Sequence, residues 1–243
     1  MSDPMFNTTL STPRAGAVVD TGLRAHMQSV YNRMTLGLAI TSFVAYVAGH
    51  SVQVLGIITN PLVALVLALS PLAVIWFGFN PAKMDSNKLK ASFILLSVLY
   101  GLSFATIFLV YVPADIVRAL LITTIMFGGL SIFGYATKRD LSAVGVFCIM
   151  GMWGLLAFSL LYMLGAGFGI VTASPMINNL ISIATIVIFA GLTAWETQAA
   201  KEMYNPANGE EANSRMAWTA ALNLYISFIA MFQSVLQLLG NRE

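Results

Sequence analysis

The stretch LSAVGVFCIMGMWGLLAFSLLYMLGAGFGIVTASPMINNLISIATIVIFAGLTAW, from Leu141 to Trp195, contains no charged residue. A transmembrane helix needs about 20 apolar residues, so this stretch is too long for one span. It is broken near its middle by Gly165, Gly167, Gly169 and Pro175, residues typical of a turn. The stretch therefore predicts two consecutive transmembrane helices.

Seven apolar runs along the chain are long enough to be transmembrane spans. A helix rises about 1.5 Å per residue, so about 20 residues cross a hydrocarbon core about 30 Å thick. The apolar runs are Met34 to Val54, Pro61 to Phe79, Ala91 to Val112, Ile116 to Ala136, Ser142 to Leu164, Ile177 to Glu196 and Ala217 to Leu239. We expect an all-α fold, a polytopic seven-transmembrane-helix bundle over residues 34–243, preceded by a flexible cytoplasmic tail over residues 1–33.

The composition excludes a soluble protein. Hydrophobic residues make up 58% of the chain and charged residues 9%, with a mean hydropathy of +0.82, whereas soluble domains carry about 25% charged residues. The expected partner of most of the surface is the lipid bilayer. Lys and Arg are scattered through short loops, so no nucleic-acid partner is expected. Cys148 is the single cysteine, which excludes an intramolecular disulfide and a thiolate metal cluster.

The distribution of positive residues predicts the orientation. Cytoplasmic loops retain an excess of Lys and Arg. With the N-terminus inside, only Arg118 and Arg242 of the 12 positive residues lie outside, and the cytoplasmic set is Arg14, Arg24, Arg33, Lys83, Lys88, Lys90, Lys138, Arg139, Lys201 and Arg215. The pattern predicts a cytoplasmic N-terminus and a C-terminus on the opposite side.

Polar residues form a stripe on each of the last two predicted spans. Spacings of three, four or seven place residues on one helical face. The stripe of the sixth span is Asn178, Ser182, Thr185, Thr193 and Glu196, and that of the seventh is Thr219, Asn223, Ser227, Ser234 and Gln237. We expect the two helices to face one another. Their side chains would either line a polar path or only join the helices by hydrogen bonds.

Glu196 is the acidic residue that falls within a span. A charge there costs several kcal/mol, which makes such a residue a functional candidate. If its surroundings are dry, desolvation favours the neutral acid, and a change of pH can switch its charge. The alternative is an interfacial glutamate that reaches water near Lys201. Glu196 is thus a candidate proton-sensitive gate.

Small residues predict where helices pack closely, and the enzyme motifs that we sought are absent from the sequence. Faces formed by Gly37, Thr41, Ala45 and Gly49, and by Gly128, Ser131 and Gly134, predict close helix packing. The sequence contains no HExxH, GxSxG, P-loop or GxGxxG motif. Hydrolysis would need paired acids or a nucleophile with a base. We expect neither an enzyme nor a cofactor.

Four segments resemble the Bax inhibitor-one family, in its bacterial YccA-like branch. They are GLSFATIFLVY at Gly101 to Tyr111, FGYATKRDLSAVG at Phe133 to Gly145, GLTAWETQ at Gly191 to Gln198 and ALNLYISFIAMF at Ala221 to Phe232. The resemblance implies a bacterial inner-membrane protein and a seven-helix bundle with the last helix at its centre. It also implies a pH-sensitive calcium leak, so that calcium or another cation is the expected transported ion and Glu196 its candidate metal ligand.

The family presents an aspartate on each of the last two helices, and two facing carboxylates can share a proton. This sequence has Glu196 at the first position and Ser227 at the second. Serine cannot ionise, so Asn223, one turn earlier, is a further candidate partner of the protonated acid. We therefore assign pH sensing to Glu196, Ser227 and Asn223. A polar path would follow Asn178, Ser182, Thr185, Thr193, Thr219 and Ser234.

A second function stays open. YccA-like relatives suggest a non-conducting membrane protein that binds and modulates a complex such as a membrane-bound protease. The polar segment over residues 1–33 has the composition of an exposed, disordered tail. A partner could grip this tail.

Overall fold

The computed structural model describes residues 15–169, 172 and 174–240. These residues form helices and no strand, which confirms the all-α prediction for the described part of the chain. A short 3-10 turn, Pro206–Asn208, precedes the last helix. The helices are α1 (Ala15–Gly49), α2 (Val52–Ile58), α3 (Pro61–Gly78), α4 (Ser86–Phe104), α5 (Ile107–Val110), α6 (Pro113–Ala136), α7 (Ser142–Gly167), α8 (Pro175–Glu202) and α9 (Gly209–Leu239).

Six candidate spans are long and apolar enough to cross a membrane. They are α3, α4 with α5, α6, α7, α8, and α9 with the turn before it. The count becomes seven if α1 and α2 form one span, and these two helices are bent by 101° where they join. The described fold is therefore that of a multi-pass membrane protein with six or seven spans.

Prolines fix where three of the long helices begin. Pro61, Pro113 and Pro175 stand at the first turn of α3, α6 and α8. Proline suits this position because its φ is already helical and it has no N–H group to leave unpaired. At α3 the Asn60 side chain also accepts a hydrogen bond from the N–H of Leu62 at 3.0 Å. The starts of α6 and α8 lie two or three residues before those we predicted, because each helix includes its proline.

The prediction of a flexible tail up to Arg33 is wrong for its second half. Helix α1 begins at Ala15, and Met27 and Val30 are buried against the bundle. Leu23, Met27, Val30 and Met34 follow one another at spacings of three or four, so this polar segment carries an apolar stripe along one helical face. Residues 1–14 of the predicted tail lie outside the described part of the chain.

Helix α9 has the most buried surface of the candidate spans. In its most apolar 18-residue stretch 61% of the residues are buried, against 6% to 33% in the other five. It packs against α1, α4, α6 and α8. Leu224, Tyr225 and Met231 lie fully buried along it. A span that exposes so little surface must contact other helices rather than lipid over most of its length.

Glycines bring neighbouring helices together as the small-residue faces predicted. A Cβ atom at Gly37 of α1 would lie 2.6 Å from the Phe93 ring of α4. One at Gly134 of α6 would collide with the carbonyl oxygen of Ala194 in α8. Only a residue without a side chain allows these approaches. The prediction of close packing is confirmed at these positions, whereas Gly128 has open space in front of it.

Candidate functional site

Glu196 and Ser227 meet between α8 and α9. The Ser227 hydroxyl donates a hydrogen bond to Glu196 Oε2 at 2.7 Å. Ser227 is fully buried, and Glu196 has intermediate exposure. The prediction that the polar stripes of these two helices face one another is confirmed at this pair. The acid therefore points at the last helix, not into bulk water.

The hydrogen bond is stronger when the acid is ionised, because a carboxylate accepts a hydroxyl proton more strongly than a neutral acid does. A serine in a helix can also donate to the carbonyl oxygen four residues earlier. For Ser227 this second acceptor is the carbonyl oxygen of Asn223. The hydroxyl can thus bond across to α8 or back to its own helix. The two arrangements differ in whether α8 and α9 are joined at this point.

Asn223, predicted as a further partner of the protonated acid, is not the partner of Glu196 in this structure. Its side chain has intermediate exposure, and among the described residues it makes no hydrogen bond to Glu196. Ser227, one turn further along α9, occupies that place. The partner of the acid is therefore a hydroxyl and not an amide.

A second polar pair joins the same two helices. The Ser182 hydroxyl lies 2.9 Å from Gln237 Oε1. Along α8 this pair is about 21 Å from Glu196, at 1.5 Å per residue. Between the pairs α8 carries the buried apolar side chains of Phe189 and Leu192. In this conformation the polar contacts between α8 and α9 thus form two separate pairs.

The threonines of the predicted polar path donate their hydrogen bonds within their own helices. The hydroxyls of Thr185, Thr193 and Thr219 each donate to the carbonyl oxygen four residues earlier, at 2.7–3.0 Å. Asn178 has intermediate exposure and offers its backbone oxygen to Ser182, and Ser234 is buried. A hydroxyl bonded in this way adds little polarity to the space between helices.

Gln198 is a residue that the sequence analysis missed. Its Oε1 accepts a hydrogen bond from the N–H of Leu141 at 2.8 Å, and its Nε2 donates to the carbonyl oxygen of Arg139 at 2.9 Å. Both bonds hold the loop between α6 and α7 against α8, two residues from Glu196. The segment WETQ carries a signal for this role, since it places an amide two residues after the acid.

The same loop carries an exposed carboxylate at the start of α7. Asp140 Oδ1 accepts a hydrogen bond from the N–H of Ser142 at 2.8 Å. The hydrogen bonds from Ser142 hold the pKa of Asp140 below its ordinary value. The acid is therefore ionised at neutral pH, where its charge suits the positive end of the helix dipole.

Comparison with known proteins identifies the family. The family model described as inhibitor of apoptosis-promoting Bax1 matches residues 23–243. The chain belongs to the Bax inhibitor-one family. The family predicted from the four quoted segments is thereby confirmed, and the protein is an integral membrane protein of that family.

Relatives of this Bax inhibitor-one protein match it over nearly their whole length. The inner membrane protein YbhL of Escherichia coli strain K12 is 34% identical over 237 residues, which cover 95% of this chain and 98% of YbhL. The uncharacterized protein RP147 of Rickettsia prowazekii is 31% identical over 239 residues, 98% of each chain. An uncharacterized protein of Caulobacter vibrioides is 33% identical over 251 residues, 98% of this chain and 97% of that protein.

The contact described above sets this Bax inhibitor-one protein apart from the two-acid arrangement that the resemblance implied. The position facing Glu196 is held by Ser227, so one acid meets one hydroxyl. In the described part of the chain, no three His, Cys, Asp or Glu side chains lie close enough to hold a metal ion. Calcium takes six to eight oxygen ligands. A cation beside Glu196 would therefore need hydroxyl, carbonyl and water oxygens as well.

Proposed function

We propose that the chain is a proton-sensitive cation leak of the bacterial inner membrane, with calcium among the ions that it passes. The contact that carries the proposal is the hydrogen bond from Ser227 to Glu196 within the α8–α9 interface. An acid inside a span costs free energy and is usually retained for a function. The relative YbhL, named as an inner membrane protein, supports the location.

In the proposed arrangement six spans surround α9, which is the seventh, and the N-terminus is cytoplasmic. The large buried share of α9 supports its central position. The excess of Lys and Arg in one set of loops supports the orientation. Glu196 then lies towards the cytoplasmic end of α8, within reach of cytoplasmic protons.

Protonation is proposed to open the interface. A hydrogen bond to a charged acceptor is about twice as strong as one between neutral groups. The Ser227–Glu196 link is therefore strongest when Glu196 is ionised, and it joins α8 to α9. A proton on Glu196 weakens the link and frees Ser227 to bond to its own helix. The leak is thus expected to rise as the pH falls.

The apolar section between the two polar pairs is the proposed barrier. Phe189 and Leu192 of α8 are buried in this section. An ion cannot shed its water there without a large cost in free energy. Conduction therefore requires α8 and α9 to separate along this section, which the loss of the Glu196 link would favour.

Calcium entry into liposomes containing the purified full-length chain tests the proposal. Wild type should leak faster at acidic than at neutral pH, whereas Glu196→Gln should leak at a rate that pH does not change. Glu202→Gln is the matched control, because Glu202 is an exposed acid at the end of the same helix. An unchanged pH response in Glu196→Gln would contradict the proposal.

The same measurement addresses the alternative function. A protein that passes no ions at any pH, although folded and inserted, would favour a non-conducting modulator that binds a complex such as a membrane-bound protease. Co-purification with and without residues 1–14 would then show whether that segment holds the partner.

A further inference from the structure

An open groove runs between α1 and α6, away from the α8–α9 interface. The volume of this groove is about 690 Å³. Its wall is largely apolar or aromatic and includes Met27, Tyr31, Phe127, Gly128, Ile132 and Tyr135. Gly128 leaves it wide, since a Cβ atom there would have no neighbour within 4 Å. The groove can therefore admit a flexible hydrocarbon chain.

The hydroxyl groups of Thr124 and Ser131 in the wall have partners within the protein. Thr124 donates to the carbonyl oxygen of Leu120 at 2.8 Å. Ser131 is buried, and its Oγ lies 3.4 Å from that of Thr197 in α8. From Thr124 to Ala136 the groove follows α6 for about 18 Å. This length is close to one leaflet of a hydrocarbon core about 30 Å thick.

Positive charge lies at one end of the groove. Arg24 lines it with an exposed side chain. Lys201 Nζ lies 5.4 Å from the ring centre of Tyr135 and 3.4 Å from its carbonyl oxygen. Both cations lie on the side where α1 begins and where α6 and α8 end. Among the described residues that line the groove, none is acidic.

We propose that the groove between α1 and α6 binds a phospholipid with an anionic headgroup, taken from the surrounding bilayer. One acyl chain lies along Phe127, Gly128 and Ile132. The phosphate lies near Arg24 and Lys201. The positive charges of Arg24 and Lys201 suit an anionic headgroup, and the apolar wall of the groove suits the acyl chain beneath it. This site is independent of the proposed leak, because it includes neither Glu196 nor Ser227.

Native mass spectrometry of the full-length chain in detergent tests the acyl-chain site. The probes are phosphatidylglycerol, which is anionic, and phosphatidylcholine, which is zwitterionic. Wild type should retain phosphatidylglycerol preferentially. Gly128→Leu fills the groove and should reduce this retention about tenfold or more. Gly129→Leu is the matched control, because Gly129 is exposed on the same helix, also has open space before it and does not line the groove.

The headgroup site is tested by Arg24→Gln. One cation near an anionic lipid contributes about 1 kcal/mol, so phosphatidylglycerol should bind about fivefold more weakly while phosphatidylcholine is unaffected. Lys90→Gln removes an exposed charge from α4 at the same end of the bundle and should leave binding unchanged. Wild-type retention by Gly128→Leu, or equal retention of the two lipids by the wild-type protein, would overturn the proposal. If Gly128→Leu does not fold, the Arg24→Gln comparison decides, since that side chain is exposed.

Discussion

Ser182 on α8 lies 2.9 Å from Gln237 on α9. In the described part of the chain this pair and Ser227–Glu196 are the side-chain hydrogen bonds between the two helices, and only the second includes an acid. The Ser182–Gln237 pair cannot change its charge with pH. The Ser227–Glu196 pair can, because Glu196 titrates. Substitutions at the two serines can therefore distinguish a loss of packing between α8 and α9 from a loss of proton sensitivity.

Ser227→Ala should alter the pH response of the leak, whereas Ser182→Ala should not. Removal of the Ser227 hydroxyl takes away the donor that holds the Glu196 carboxylate to α9. We expect faster calcium entry at neutral pH and a flatter pH profile in liposomes. Ser182→Ala is the control, since it removes a bond between the same helices. Equal changes in both variants would assign the effect to packing alone.

Thr41→Val should destabilise the protein more than Tyr225→Phe. The Thr41 hydroxyl donates to the carbonyl oxygen of Ser97 at 2.9 Å, so the buried Tyr225 hydroxyl, 2.7 Å away, must donate to Thr41. Valine removes this acceptor of the Tyr225 O–H group and also the bond from Thr41 to Ser97, at a cost of about 1–3 kcal/mol, whereas phenylalanine leaves no donor unpaired. Thermal unfolding in detergent measures the difference. A larger loss in Tyr225→Phe would reverse the assigned direction of the hydrogen bond.

Gly134→Ala should weaken the packing of α6 on α8. The added methyl group would collide with the carbonyl oxygen of Ala194, and backbone atoms can move away only by separating the helices. Overpacking of this kind costs about 1–3 kcal/mol. Gly129→Ala, on the same helix, meets open space and should preserve the unfolding temperature. Equal unfolding temperatures for the two variants would show that the helices adjust without cost.

Gln198→Ala should loosen the loop between α6 and α7. It leaves the N–H of Leu141 and the carbonyl oxygen of Arg139 without their partner. We expect a loss of about 1–3 kcal/mol and faster proteolysis in that loop. Gln233→Ala is the control, because Gln233 is exposed on α9 and makes no hydrogen bond among the described residues. Unchanged proteolysis in Gln198→Ala would show that the loop does not depend on this amide.

The sequence could predict most of the span positions, because long apolar runs mark the segments that cross the membrane and prolines mark where several of these helices begin. It did not predict the bend between α1 and α2, since the run from Met34 to Val54 contains no Asp, Glu, Lys or Arg that would end a span. The break depends on Ser51, which has an extended backbone and accepts a hydrogen bond from the N–H of Val54 at 3.5 Å. It also missed the helical part of the tail, where polar residues outnumber the buried Met27 and Val30.

The position of Glu196 in the candidate site followed from the periodicity of the polar residues. The spacing of polar residues placed Glu196 opposite α9, and the family resemblance singled out Ser227. Spacing cannot show which acceptor a hydroxyl chooses, so it could not show that Thr193 bonds to its own helix while Ser227 bonds across. The role of Gln198 was hidden because its partners are backbone groups of a loop distant in sequence.

In the proposed seven-span arrangement, the bend after Gly49 would leave the first membrane helix short. From Met34, the first residue after Arg33, to Gly49 the helix rises about 24 Å, whereas an average hydrocarbon core is about 30 Å thick. Lipids around α1 must compress to match it, at a cost of fractions of a kcal/mol for each ångström of mismatch. We therefore expect the protein to be more stable in bilayers of short-chain lipids than in those of long-chain lipids, with the thinnest annulus beside α1.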